Sequence, residues 1–260
     1  MRIALQKPSA AVESAKTDSA ARSLAAPAQT EKIRRGTLSV VSVPIGDFDD
    51  ITVRALRVLR QADLIVAEDA QTTRNLLQWH GIMAQDIFSL RPRRGKAAQS
   101  ALQSALAGGR NIALVCDAGT PGIADVGQKF ISAAINSGAA VSAVPGPCAA
   151  LAALTVSGFP AQSFSFRGFP PRDRAARAAF FHEIACETGT TIFYEKSPAL
   201  FAALTELCRV CGVSRPAVLA CDLTKPTERI QRGSLEELRR LCKAAQPKGE
   251  IILVLSPLFK

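Results

Sequence analysis

From Gly36 onward, short runs dense in β-branched and apolar residues alternate with longer stretches whose apolar positions recur every three or four residues. "TLSVVSV" predicts a first strand, and "ITVRALRVLRQ" a helix with Ile51, Ala55, Leu56 and Leu59 on one face. "DLIVAED" predicts the next strand, followed by a helix from about Thr72 to His80. "DIFSL" is a short strand candidate before "RPRRGK" and a helix over about 97–107, and "NIALVCD" and "VSAVP" bracket another helix. After Pro145 the pattern continues with the helix "CAALAALTVSG", the run "SFSFRGF", a basic helix near 172–186, "TTIFYEK", a further helix and "PAVLACDL". "RIQRGSLEEL" predicts a strand running into a helix, and "GEIILVLS" a closing strand.

This alternation is the signature of an α/β fold whose first sheet leans parallel. The turn-rich segment "SGFPAQSFSFRGFPPR" is expected to link two α/β subdomains, residues 36–157 and 158–260. Residues 1–35, rich in Ala, Ser, Lys and Thr and lacking an apolar h-region, are expected to be a disordered extension rather than a secretory signal. Glu13, Asp18 and Glu31 weigh against an organellar transit peptide, which avoids acids.

Charge adds a partner class. The chain carries 32 Lys and Arg against 22 Asp and Glu, a net charge of +10, which favours a polyanionic partner, nucleic acid ahead of membrane. Outside the basic extension, the cations gather in two clusters, Arg91, Arg93, Arg94 and Lys96, and Arg167, Arg172, Arg174 and Arg177. Seven cysteines, mostly within apolar runs, suit reduced core residues of a cytoplasmic protein. Cys208 and Cys211 have no second pair or His cluster to complete a zinc site, so no metal is expected. No apolar run reaches the roughly 18 residues of a membrane span.

The chemistry is expected where parallel strands end, because loops there leave a crevice and helix N-termini offer unpaired N–H groups. "SVPIGDFDD", "CDAGTPGIADVG" and "VPGPCAA" follow three candidate strands, each with Gly or Pro where the backbone must turn sharply. None is a G-x-G-x-x-G or Walker loop, so a dinucleotide or nucleoside triphosphate phosphate site is not supported.

The ordered strings "GTLSVVSVPIGDFDDITVRALRVL", "DLIVAED", "DAGTPGIAD", "VPGP", "GFPPR", "IFYE", "LTK", "RGSLEEL" and "KGEIILV" resemble the ribosomal RNA small subunit methyltransferase I family, of the tetrapyrrole-methylase-like class. The resemblance implies two α/β subdomains with a cofactor cleft between them. It also implies methylation of a cytidine ribose 2′-hydroxyl in small-subunit rRNA with S-adenosyl-L-methionine as cofactor, and a cytoplasmic homodimer acting on rRNA or on the assembled small subunit. Carried over position by position, it places Pro44, Ile45, Asp117, Gly119, Thr120, Ile123, Cys148 and Ala149 around the cofactor, with Tyr194, Ala220 and Gly249 from the second half.

The chain departs from the family pattern at Ala70 and Gln71 after "AED", at Lys196–Ala199 after "FYE", at Thr227 and Arg229, and at "SLRPRRGK". These departures fall on the expected substrate side. They keep two further readings open: an inactive RNA- or ribosome-binding module of the same fold, and a methyltransferase for another RNA or a small molecule.

Methyl transfer to a hydroxyl demands alignment of the reacting atoms and a base for the hydroxyl proton. Asp69 and Glu195, at candidate strand ends with Glu68, are the base candidates; a strand-end carboxylate also serves as a helix cap or pairs with an arginine such as Arg74. His80 at a helix end and His182 in the basic helix are weaker ones. For RNA, Arg91, Arg93, Arg94, Lys96, Arg172, Arg174 and Arg177 are expected to neutralise phosphates. Phe164, Phe166 and Phe169 are positioned either to stack an unpaired base or to fill the core.

Overall fold

A computed structural model describes residues 36–83, 86–91, 96–125 and 127–258, without the side chains of Lys96 and Ala97. The extension over residues 1–35 lies outside the described residues, as do Arg93 and Arg94.

The first sheet contains β1 (Thr37–Val41), β2 (Leu64–Ala67), β3 (Ile87–Ser89), β4 (Ile112–Val115) and β5 (Ala140–Val144) in the order β3-β2-β4-β1-β5. All its pairings are parallel. The uninterrupted "LIVA" and "IALV" runs suit such a sheet, because its inner strands are covered on both faces. Ile65, Ala67, Ala113 and Val115 point to one face, under Leu59 of α1 (Val53–Gln61) and Leu76 and Leu77 of α2 (Ala70–Trp79). Val66, Ile112 and Leu114 point to the other, under Leu102 of α3 (Lys96–Ala107) and Phe130 of α4 (Gly127–Asn136). Period-two alternation thus divides one apolar string between two cores.

The second sheet contains β6 (Phe164–Phe166), β7 (Thr190–Lys196), β8 (Pro216–Cys221), β9 (Arg229–Ser234) and β10 (Glu250–Leu255) in the order β6-β7-β10-β8-β9. Only β6 and β7 pair in parallel; the other pairings are antiparallel. One face is covered by α6 (Arg174–Cys186), α7 (Ser197–Cys211) and α8 (Leu235–Ala244), around Phe181, Phe193, Leu204 and Leu238. Ser234 begins α8 with a reciprocal capping box to Glu237.

The other face of this sheet receives α5 (Ala149–Ser157), whose Ala150, Ala153 and Leu154 pack with Ile192, Val218, Ala220, Ile252 and Val254. Ile45, from the loop after β1, belongs to the same cluster. The segment expected to end the first half therefore packs on the second sheet and brings the loops of the first against it. No helix among the described residues is long and apolar enough to cross a membrane.

Candidate functional site

The loops after β1, β4 and β5 are stitched into one surface. Val43 and Gly119 exchange backbone hydrogen bonds, N–H to O at 2.9 and 3.1 Å, across an isolated antiparallel bridge. Gly119 holds φ at +80°, a left-handed conformation that lets the corner double back. The Thr120 hydroxyl donates to the Pro147 carbonyl at 2.9 Å and stands 2.9 Å from Ser42 Oγ, which leaves Ser42 as donor to Thr120. Asp125 closes the corner by accepting the backbone N–H groups of Gly122 at 2.5 Å and Gly127 at 2.9 Å.

From the second sheet, the Tyr194 ring packs against Phe166 and Phe169 with centroids 4.9 and 5.2 Å apart. Gly249, before β10, has φ at +89°, and a Cβ there would run into the Asp222 carboxylate. Asp222 Oδ1 accepts the Glu250 N–H at 3.1 Å, so only glycine allows this approach.

Between these surfaces lies a cavity of about 510 Å³, the size of a small-molecule site. Ile45, Gly119, Cys148, Ala149, Ile251 and Ile252 give it mostly apolar walls, and Glu68, Asp117, Asp125, Glu195 and Glu250 bring carboxylates to it. Burial, more than any neighbouring charge, pushes the Tyr194 phenol up to about 12, so it remains a neutral hydrogen-bonding group. Burial also drives the Cys116 thiol far upward, and its Sγ–H reaches the Ala118 carbonyl at 3.1 Å. Such a thiol is a structural donor, not a nucleophile.

Ile45, Asp117, Gly119, Thr120, Ile123, Cys148 and Ala149 all line this cavity, as do Tyr194 and Gly249. Pro44 and Ala220 do not. Pro44 is buried behind the wall, its carbonyl 3.4 Å from the Gly119 N–H, and Ala220 lies in the core beneath Ile45.

The two base candidates are committed elsewhere. Asp69 is the N-cap of α2, Oδ1 accepting from Gln71 at 2.8 Å and Thr72 at 3.1 Å, and these bonds hold its carboxyl below the usual range. It does not line the cavity; its partner is Arg91 at 3.6 Å, not Arg74. Glu195 does line it, yet is only 4% exposed and pairs with Arg177 at 2.5 Å while accepting the Lys196 N–H at 2.7 Å.

Arg177, expected to contact phosphate, is held between Glu195 and the Phe181 ring, 5.2 Å from the centroid. Arg91 is exposed but engaged, meeting Asp117 Oδ2 at 2.5 Å. Arg172 and Arg174 are exposed. Lys96 begins α3, and its side chain lies outside the description. His80 Nε2 meets the Phe48 carbonyl at 2.9 Å, and His182 stands 3.4 Å from Arg209, which gives neither a place in the cavity.

The cavity residues that the sequence did not single out include Cys116, Asp125 and Glu250–Ile252, while Phe169, read as a stacking or core residue, and Lys196–Pro198, read as departures on the substrate side, also line it. Asp125 belongs to the punctuated corner and was legible as such. The β10 residues carry no signal beyond a buried strand, because their role comes from the neighbouring loops. Among the described residues no group of three or more His, Cys, Asp or Glu side chains is placed to hold a metal ion.

Residues 37–239 match the family model described as Tetrapyrrole (Corrin/Porphyrin) Methylases. The chain is 40% identical over 222 residues to the ribosomal RNA small subunit methyltransferase I of Escherichia coli O157:H7, covering 85% of this chain and 77% of that protein. It is 39% identical over 220 residues to the protein of the same name from Halalkalibacterium halodurans, covering 85% and 75%. Its fold is shared with the methyltransferase CobJ, at TM-score 0.67 and 18% identity over 86% of this chain and 95% of that one. It is shared also with a uroporphyrin-III C-methyltransferase from Thermus thermophilus complexed with S-adenosylhomocysteine, at TM-score 0.60 and 18% identity over 85% and 97%. A parallel sheet whose carboxyl-end loops close a cavity against a second, mainly antiparallel sheet is thus joined to long, specific sequence identity, and the chain belongs to the tetrapyrrole methylases and, within them, to the ribosomal RNA small subunit methyltransferase I family.

Proposed function

We propose that the protein transfers a methyl group from S-adenosyl-L-methionine to the ribose 2′-hydroxyl of a cytidine in small-subunit rRNA. The observation that carries this reading is the cavity formed by the three stitched loops and the β7–β10 side of the second sheet. Its walls fit the donor: apolar surface suits an adenine and a methionine chain, and the carboxylates suit a sulfonium and an ammonium group. The left-handed turn at Gly119 brings backbone to the cavity without a side chain in between. Ile45, Gly119, Thr120, Cys148, Ala149 and Tyr194 would hold the donor, and its bound sulfonium would supply an activated methyl group.

What the chain itself contributes is alignment and exclusion of water. The Val43–Gly119 bridge and the Thr120–Pro147 bond fix the loops before any ligand arrives, so little reorganisation accompanies binding. Phe169, 48% exposed, lines the cavity beside Tyr194, a position suited to stacking an unpaired base of the acceptor. Arg172 and Arg174, close after it in sequence, would meet phosphates, as would Arg93, Arg94 and Lys96. The reading carries with it a cytoplasmic homodimer whose acceptor is rRNA or the assembled small subunit.

Calorimetric titration tests the donor half of this reading. Saturable one-to-one binding of S-adenosylmethionine and of S-adenosylhomocysteine is expected. A folded protein that binds neither would refute it.

A further inference from the structure

We propose that Glu68 is the general base that accepts the proton of the attacking hydroxyl. The inference rests on the methyl-transfer reading above. Glu68 directly follows β2 and lines the cavity beside Asp117, a lining residue from the loop after β4. Among the described residues no ion pair reaches it. The groups facing it are Cys116, Asp117 and Asp125, from the loop after β4, and Arg91, beyond β3.

Arg91 is the one cation among these, and its guanidinium is engaged by Asp117 and Asp69. Asp125 is engaged by Gly122 and Gly127. Glu195 is tied to Arg177. Glu68 is therefore the cavity carboxylate whose oxygens are least engaged on the Arg91 side of the site. Burial, reinforced by Asp117, raises its proton affinity above that of an ordinary glutamate, which makes it a stronger base once ionised.

The step balances simply. As the ribose oxygen forms its bond to the methyl carbon, the carbon–sulfur bond breaks and its electron pair remains on sulfur. The hydroxyl proton moves to Glu68 and from there to water, so no oxidant, reductant or metal takes part.

Glu68→Gln keeps the size and hydrogen-bonding shape of the side chain and removes the basicity. In full-length protein, kcat for methyl transfer to RNA is expected to fall by about 10²–10⁴-fold, the usual contribution of a positioned base. The calorimetric Kd for S-adenosylmethionine is expected to change far less than kcat. The acid limb of the wild-type kcat–pH profile should vanish in this variant and return, at reduced rate, in Glu68→Asp. Loss of donor affinity equal to the loss in kcat/KM, with the acid limb intact, would overturn the assignment and make Glu68 a donor-binding residue. A wild-type protein that moves no methyl group to RNA would overturn the functional reading, and this assignment with it.

Discussion

Glu68 and Asp69 are adjacent carboxylates just after β2 with opposite fates, because Asp69 is already the N-cap of α2 while Glu68 lines the cavity. Asp69 turns over the first turn of α2, where two backbone N–H groups hold it ionised; Glu68 turns into the cavity, where burial opposes its charge. This has a consequence for stability. A carboxyl whose pKa rises on folding weakens the fold as pH climbs from its unfolded value, about 4.3, to its folded value, and by a constant amount above that. Glu68→Gln is therefore expected to melt above wild type at pH 7, with the difference disappearing on acidification below pH about 4. Thermal melts across this range check it, and a lower melting temperature for the variant at pH 7 would contradict the burial argument.

At the scale of elements, the ion pair between Arg177 of α6 and Glu195 of β7 joins a helix to its sheet and closes the cavity wall. Breaking a pair this buried by removing one partner costs about 3–5 kcal/mol, because the other charge is left without compensation. Arg177→Met should thus lower stability, whereas the double variant Arg172→Glu/Arg174→Glu should leave melting nearly unchanged. The double variant should instead weaken RNA binding and reduce the salt slope of log K by roughly one for each phosphate that is no longer neutralised. Filter binding across a salt series separates the two, and equal effects on RNA affinity would place Arg177 back on the RNA surface.

The cofactor loops were legible in the sequence because their turn residues mark them, even though the bonds that stitch them, such as Thr120 to Pro147, run between loops. Gly119 needs positive φ, and Gly and Pro punctuate all three loops. The fates of Arg91, Arg177 and Glu195 were not legible, since each is decided by a partner 18 or 26 residues away on another element. The same limit applies to α5. Its "AALAALTVS" is apolar on all sides, so no stripe announces that it will pack on the second sheet rather than the first.

At the scale of the molecule, the parallel sheet offers three loop ends on one edge, and the second sheet, through α5 and Tyr194, provides the wall that turns those loops into a cavity. The walls suit a small cationic donor, while the positive charge of the chain as a whole, +10, suits a polyanionic acceptor. On the proposed function, the donor and the acceptor are thus recognised by charge of opposite sign. Incubation of the purified protein with radiolabelled S-adenosylmethionine and small ribosomal subunits lacking the modification, followed by nucleoside analysis of the rRNA, tests this most directly. The account predicts label in 2′-O-methylcytidine and its loss when the donor site is blocked by excess S-adenosylhomocysteine. Saturable donor binding with no label entering the rRNA would contradict it.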